Sequence, residues 1–323
     1  MSTEELSYLS HARYGKDKVR VLRVVRDGAW HTVVEYNVTA LVEGAIETSY
    51  TKADNSVVVA TDSIKNITYY LAKTSPYVLV PERFAIHLGT HLVSKYAHLT
   101  KAFVAVEQLR WARVPVAQGA GQNPKPHPHS FFRDGDEKRF AQVEIDATAG
   151  KDKLVARVTS GLRDLLVLKS TGSGFENFVR DEYTTLAEVD DRIFSTSVDL
   201  SYTFAPLPVP APADGQGREL VAPAEKGTAW DGDAVAAAAR GVTLEVFATD
   251  ESASVQATLY RMGQRIVAEN GGVQTVSYAL PNKHYVPVDM KYIGVDNLSP
   301  PKAEVFVPLA APSGLITATV SRK

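Results

Sequence analysis

The chain contains no cysteine. That excludes disulfides, thiolate metal sites, iron–sulfur clusters and a cysteine nucleophile. No excess of one charge is present either: 35 Lys and Arg face 37 Asp and Glu, for a formal net charge of −2. Without a polybasic run, a nucleic-acid backbone is not an expected partner. No apolar run approaches the ~20 residues that span a bilayer. The first ten residues, MSTEELSYLS, are polar and acidic and lack the apolar core of a signal peptide. The expectation is a soluble, cytoplasmic protein with no membrane partner. Familiar cofactor strings are missing as well. There is no G-x-x-x-x-G-K-[ST] loop, no G-x-G-x-x-G after a strand and no G-x-S-x-G elbow. TGSGF (171–175) offers only a short glycine pair, so phosphate-cradling and dinucleotide readings are poor.

What is present suggests two domains: 323 residues, 45% of them apolar. KVRVLRVVRD (18–27) and HTVVEYNVTALVEG (31–44) alternate like strands across an Asp27-Gly28 turn. After a polar loop, TKADNS, the segment TDSIKNITYYLAK spaces Ile64, Ile67 and Leu71 as a helix does. In the next helix Phe84, Leu88, Leu92 and Tyr96 recur every four residues behind Pro81 as opener. KAFVAVEQLRWARV (101–114) is again a strand, and Asp134-Gly135 predicts a hairpin between HSFFRD and FAQVEID. The second half repeats the order. LVARVTSG, LRDLLVLKS and STSVDLSYTF read as strands. Helices follow over 235–250 and 252–270, the latter with a Val255, Leu259, Met262, Ile266 stripe. VQTVSYAL and HYVPVDM (284–290) close with strands. Two strands, two helices and two strands, twice over, give an α+β fold with helices on one face of antiparallel sheets. The division falls near residue 150, giving domains 1–150 and 151–323. Residues 116–123 and the Pro-rich 205–217 read as surface insertions, and the prolines argue against a sheet in the latter.

The residues able to carry chemistry are scattered. His87 and His91 are four apart on a helix, but HLGTH lacks the Glu of zinc proteases and the pair reads as ordinary polar helix positions. His127 and His129 share a strand face without a third ligand, which favours a structural role. Lys16 precedes the first strand as a solvated lysine would. Thr61 reads as an N-cap, or as the neighbour of Asp62 in that role. Arg192 is placed to pair with Asp190 or Asp191 on the surface, Phe175 suits a core, and Gln256 lies in the first turn of its helix. In ALPNKHY (279–285) alternation turns Asn282 and His284 to one face and Lys283 to the other. A strand that only packed would carry Val or Ile there. Periodicity alone does not bring these positions together.

Longer strings do. YGKDKVRV, SYTKADNSVVVATDSIKN, GLRDLLVLKSTGSGF, RDEYTTLAEVDDRIFSTSVD, SASVQATLYRM, ALPNKHY and GLITATVSR resemble the urate oxidase (uricase) family, from about Tyr14 to the C-terminus. The resemblance implies the tunnelling fold, two tandem ββααββ units per chain, whose sheets from two subunits close into a barrel within a homotetramer. It implies a catalytic role for Lys16 in YGKD, Thr61 in ATDS and His284 in LPNKHY. Asp62 would line the site, Phe175 would stack on the purine, and Arg192, Val255, Gln256 and Asn282 would complete substrate binding. Urate, dioxygen and water would be the partners, with no metal and no organic cofactor. SRK at 321–323 departs from the tripeptide that sends many eukaryotic members to the peroxisome, so a cytoplasmic protein remains the expectation.

The implied chemistry suits these groups. Urate is a flat anion rich in carbonyls and ring N–H groups. A guanidinium fork matches such an anion, and a glutamine amide reads a donor–acceptor edge. A second proton must then leave urate to make a dianion able to reduce dioxygen. A neutral Lys16, Thr61 as relay and His284 would carry that proton, while Asn282 and Thr61 hold dioxygen and then water. Two rivals share the fold: a metal-dependent pterin-forming or GTP-opening enzyme, and a non-catalytic purine-binding protein. The absence of cysteine counts against the first, and the joint presence of Lys16, Thr61 and His284 against the second.

Overall fold

The computed structural model describes residues 6–117, 119, 121–215, 217, 231–299, 302–311 and 313–323. Positions 118, 120 and 216 of the two expected insertions lie outside the described residues. The chain forms two compact units. The first comprises residues 1–161 and 203–233, the second 162–202 and 234–323.

In the first unit, β1 (Tyr14–Asp27) and β2 (Trp30–Gly44) form the expected hairpin, with Gly28 at φ 56° in the turn. A short helix α1 (Glu47–Thr51) and a 3-10 turn (Asn55–Val57) fill the polar loop. Helices α2 (Thr61–Thr74) and α3 (Pro81–Lys95) follow, then β3 (Leu99–Val116) and β4 (Lys125–Asp146). The strands run in the order β1-β2-β3-β4, continued by the first part of β5 (Leu154–Lys169). Tyr36, Val38, Ala40 and Val42 of β2 are fully buried on one sheet face, as are Phe84, Leu88 and Leu92 of α3. Fully burying an apolar side chain of that size contributes about 1.5–3 kcal/mol. At Gly89 α3 lies close on the sheet: a Cβ there would lie 2.6 Å from the Ile145 side chain.

Asp134-Gly135 does not form a hairpin. β4 runs straight through it, and Gly135 uses its φ of 72° in a wide bulge. Leu109 pairs with Lys138 and Trp111 with Arg133, so Asp134 to Glu137 face Arg110 alone. Arg110 fastens that bulge through Asp134 at 2.7 Å and Glu137 at 2.6 Å. An Asp-Gly pair signals positive φ, which a bulge needs as much as a turn does. The Pro-rich segment also differs from expectation. β7 (Leu207–Val209) pairs antiparallel with Leu154–Ala156 of β5. A strand that adds to an edge tolerates proline, because alternate N–H groups point away from the ladder.

The second unit carries the rest of β5, then β6 (Phe194–Phe204, to Tyr202), helices α4 (Gly232–Thr249, from Ala234) and α5 (Val255–Glu269), and β8 (Val273–Lys283). Residues 154–169 make one strand rather than two, with Asp164 at φ 60° taking up the irregularity. The closing strand is also not the expected one. β9 is short (Tyr285–Pro287) and pairs with β10 (Phe306–Pro308) in a separate two-stranded sheet. β11 (Leu315–Ser321) completes the order β5-β6-β8-β11. The stripe Val255, Leu259, Met262, Ile266 is buried as its period requires. Among the described residues no helix is long and apolar enough to cross a membrane.

Candidate active site

Lys16, Thr61 and Asp62 belong to the first unit; Phe175, Arg192, Val255, Gln256, Asn282 and His284 belong to the second. In the first, Lys16 lies on β1 opposite Ala40, whose side chain is fully buried on the helix-facing side of the sheet. Cross-strand partners project to the same face, so Lys16 faces the helices. α2 begins at Thr61 with Ala60 as N-cap and no side-chain cap. Neither Thr61 nor Asp62 therefore plays the capping part its position suggested. The first N–H groups of α2 keep the positive end of the helix dipole without a side-chain acceptor. The Asp62 carboxylate instead accepts from Lys65 at 2.6 Å and Asn66 at 3.0 Å. The Lys65 hydrogen bond chiefly holds its carboxyl below the usual range, and Lys16 adds a weaker pull, which places Lys16 near the start of α2. Two residues before Lys16, the Tyr14 hydroxyl accepts the Val59 N–H at 2.6 Å, fastening the approach to α2 onto β1.

In the second unit a loop between β5 and β6 is closed by Asp191. Its carboxylate accepts from the Thr171 hydroxyl at 2.6 Å and from the N–H groups of Gly172 at 2.8 Å and Ser173 at 3.4 Å. Phe175 and Val189 exchange backbone bonds of 2.7 and 3.1 Å, and the Arg192 N–H donates to Ser173 O at 2.8 Å. This brings the Arg192 guanidinium to 5.3 Å from the centroid of the Phe175 ring. The ring also stacks on Phe178, with centroids 4.9 Å apart. Phe175 is half-buried rather than part of the core. Arg192 makes no ion pair among the described residues, so the expected surface pairing with Asp190 or Asp191 is not formed. Asp191 is committed to its loop. Burial pushes the Arg192 guanidinium down from its ordinary value.

The same loop is joined to the start of α5. Ser252 donates its N–H to Gly172 O at 3.0 Å and accepts the Gly174 N–H at 2.9 Å. Ser254 then caps α5, its Oγ accepting from the Ala257 N–H at 3.1 Å. Val255 and Gln256 thus occupy the first two helical positions at a fixed offset from Phe175. Between loop and helix start lies a cleft of about 470 Å³, lined by Phe175, Glu176, Asp190, Glu251 and Ser252 among others. Asn282 and His284 form a separate group around Gly314. Asn282 N–H donates to Gly314 O at 2.8 Å, and a Cβ on Gly314 would lie 3.5 Å from Asn282 Cβ and 3.8 Å from His284 Nε2. His284 falls at the break between β8 and β9 rather than within one strand.

The other histidines have structural partners. His87 is buried with Nδ1 at 2.8 Å from the Ser75 hydroxyl, and His91 is buried beside it on α3. The rings of His127 and His129 meet edge-on at 4.5 Å. Among the described residues no group of three or more His, Cys, Asp or Glu is placed to hold a metal ion. Tyr14, Ser254 and Gly314 were not singled out in the sequence, and Asp191 was named only as a surface partner for Arg192. Only Ser254 carries a local signal, a serine before an amphipathic run.

A family model described as Uricase matches residues 12–144 and 158–317. Uricase from Aspergillus flavus is 47% identical over 320 residues, 98% of each chain. Uricase from Emericella nidulans is 46% identical over 321 residues, again 98% of each. The crystal structure of uricase from Arthrobacter globiformis superposes with a TM-score of 0.81 at 33% identity, covering 98% of this chain and 96% of that one. The chain belongs to the uricase family. Its architecture is the tunnelling fold, tandem ββααββ units with helices on one face of antiparallel sheet. All nine candidate positions fall inside the residues the uricase model matches.

Proposed function

We propose that this chain oxidises urate with dioxygen and water to 5-hydroxyisourate and hydrogen peroxide, with no resident metal or organic cofactor. Membership of the uricase family makes it a urate oxidase, an oxidoreductase acting on urate with dioxygen as acceptor. The observation that carries the reading is the half-buried Arg192 guanidinium, without a counter-charge among the described residues, beside the Phe175 ring. A charge taken partly out of water calls for an anionic partner. Urate supplies one in a flat form that also stacks, for about 1 kcal/mol beyond area burial. Gln256, at the second position of α5, reads the amide edge, and the Val255 N–H points out of the helix start without an intrahelical partner.

The proton leaves through residues of both units. Lys16 in neutral form, Thr61 as relay and His284 take a second proton from bound urate, leaving a dianion that passes an electron to dioxygen. Dioxygen gains two electrons and two protons to become peroxide. Water adds its oxygen to the purine, which balances the equation. Asn282 and Thr61 hold dioxygen and then the attacking water above the ring. We infer that each complete site takes Lys16, Thr61 and Asp62 from one subunit and the purine clamp from its neighbour in a homotetramer.

Chelator-treated protein mixed with urate in air tests the reading. Urate absorbance is expected to fall as peroxide appears in equal amount. Activity that disappears on chelation and returns only with a metal overturns it. Urate binding without turnover identifies a purine-binding protein instead.

A further inference from the structure

The sequence distance from Lys16 to the core residues of β1 is wrong for simple alternation. Val19 and Val21 are buried opposite Val38 and Tyr36, on the helix-facing side. Carried back in the same register, the ladder would set Asp17 against Ala40 and Lys16 against Leu41, which turns Lys16 to the opposite face. Lys16 nonetheless pairs with Ala40, because the register shifts between Lys16 and Val19 and the two residues Asp17 and Lys18 face Thr39 alone. Lys18 adopts φ 55°, which a side-chain-bearing residue rarely does. The Thr39 hydroxyl donates to Asp17 Oδ1 at 2.5 Å across the bulge. We infer that this two-against-one bulge, latched by Asp17 and Thr39, is the positioning device that turns Lys16 onto the helix face beside the start of α2. Asp17 and Thr39 are positioning residues: they act through Lys16 and touch no substrate. The inference rests on Lys16 being the catalytic amine.

The bulge solves a packing conflict. Val19 and Val21 must face the core and so must Lys16, yet the spacing of three between Lys16 and Val19 has the wrong parity for period two. One extra residue restores it. Tyr14, opposite Val42, follows Lys16 to the same face, which is how its hydroxyl reaches the Val59 N–H.

Thr39→Val and Asp17→Ala each remove the latch without touching Lys16. Each is expected to lower kcat about 5-fold, the worth of one hydrogen bond, with KM unchanged. The acidic limb of the kcat–pH curve, where Lys16 loses the proton that keeps it from acting as a base, is expected to move in both. Asp17→Asn keeps an acceptor for Thr39 and is expected to retain parental kcat. Deleting Lys18 removes the surplus residue, so a regular ladder keeps Lys16 opposite Ala40. In the Thr39→Val background that deletion is expected to restore kcat. Parental kcat in both latch variants, while Lys16→Met is inactive, overturns the inference and leaves the role of Lys16 standing. So does a loss that the deletion fails to repair in a folded protein. If the deletion variant does not fold, the Asp17→Asn and Asp17→Ala pair decides, equal kcat values overturning the inference. Turnover retained in Lys16→Met sinks the underlying reading instead.

Discussion

The two groups of site residues begin their helices differently. α2 starts at Thr61 behind Ala60 with no side-chain cap, whereas α5 starts at Val255 behind Ser254, which accepts from Ala257. A cap contributes about 1 kcal/mol, so the first unit forgoes that stabilisation at Thr61. In the proposed mechanism the Thr61 hydroxyl and the first N–H groups of α2 are thereby left to a bound oxygen species. The second unit does the opposite. Asp191, Ser252 and Ser254 use hydrogen bonds to fix the loop of Phe175 and Arg192 against the start of α5. In the proposed mechanism one group presents reactive atoms aimed by backbone register, and the other is a latched frame. The comparison teaches that substitutions in the first group are to be read in kcat and those in the second in KM.

The largest effect is expected from Lys16→Met. It removes the amine while keeping the aliphatic stem, so turnover is expected to fall ~10²–10⁴-fold, the range for a positioned general base. Urate affinity is expected to stay within about 3-fold of parental, since uniform binding lies with the other group. Turnover within a few-fold of parental by peroxide release would break the division between the groups. Arg192→Ala is the complementary experiment. Losing a charge-assisted contact of about 1.5–3 kcal/mol is expected to raise KM ~10–100-fold, with a much smaller change in kcat. An unchanged KM would take Arg192 out of the frame.

Much of this division was legible in the sequence, and the exceptions have physical causes. Helices α2, α3 and α5 were legible because apolar spacing is set by 3.6 residues per turn, and Ile64, Leu88 and Met262 are buried accordingly. The final strand was misplaced because two short segments compete for it. HYVPVDM alternates well yet supplies only Tyr285–Pro287 to a side sheet, while Leu315–Ser321 takes the edge of the main one. Tertiary pairing, not local pattern, decides such cases. Asp134-Gly135 misled because the same positive φ serves turns and bulges. The site residues were legible only through long strings such as YGKD and LPNKHY. No local rule joins Arg192 to Phe175, since a carboxylate and two stretches of non-local backbone pairing make that juxtaposition.

Ser254→Ala sharpens the comparison at a smaller scale. Loss of the α5 cap is expected to cost about 1 kcal/mol of stability. Because Val255 and Gln256 stand on the first turn, KM is expected to rise about 2–5-fold at constant kcat, by the same magnitude. Placing Ser at Ala60 is the mirror test. An added cap there is expected to stabilise α2 while lowering kcat, as the new side chain competes for the N–H groups near Thr61. A gain in stability with no fall in kcat would show that the uncapped start has no part in turnover.

The smallest effect concerns acid. The Thr171 hydroxyl, and then the N–H groups of Gly172 and Ser173, hold the Asp191 carboxyl below its ordinary value of 3.8 against the upward pull of burial. A group whose folded pKa is lowered contributes stability above its unfolded value and loses it as pH falls through the folded one. Asp191 therefore keeps the loop closed at neutral pH and releases it only below about pH 3.8. The group is largely exposed, so solvent screening keeps the contribution small. Affinity for a non-oxidisable purine is expected to be flat down to that range and to weaken below it. In Asp191→Asn the acidic weakening is expected to disappear, with a slightly lower affinity at every pH. Asp146 of the first unit, held down at about 2, titrates in the same acidic region and makes general unfolding the competing explanation. The Asn variant separates them. Acid weakening that persists without the Asp191 carboxyl belongs to unfolding elsewhere, and the frame then owes nothing to this latch.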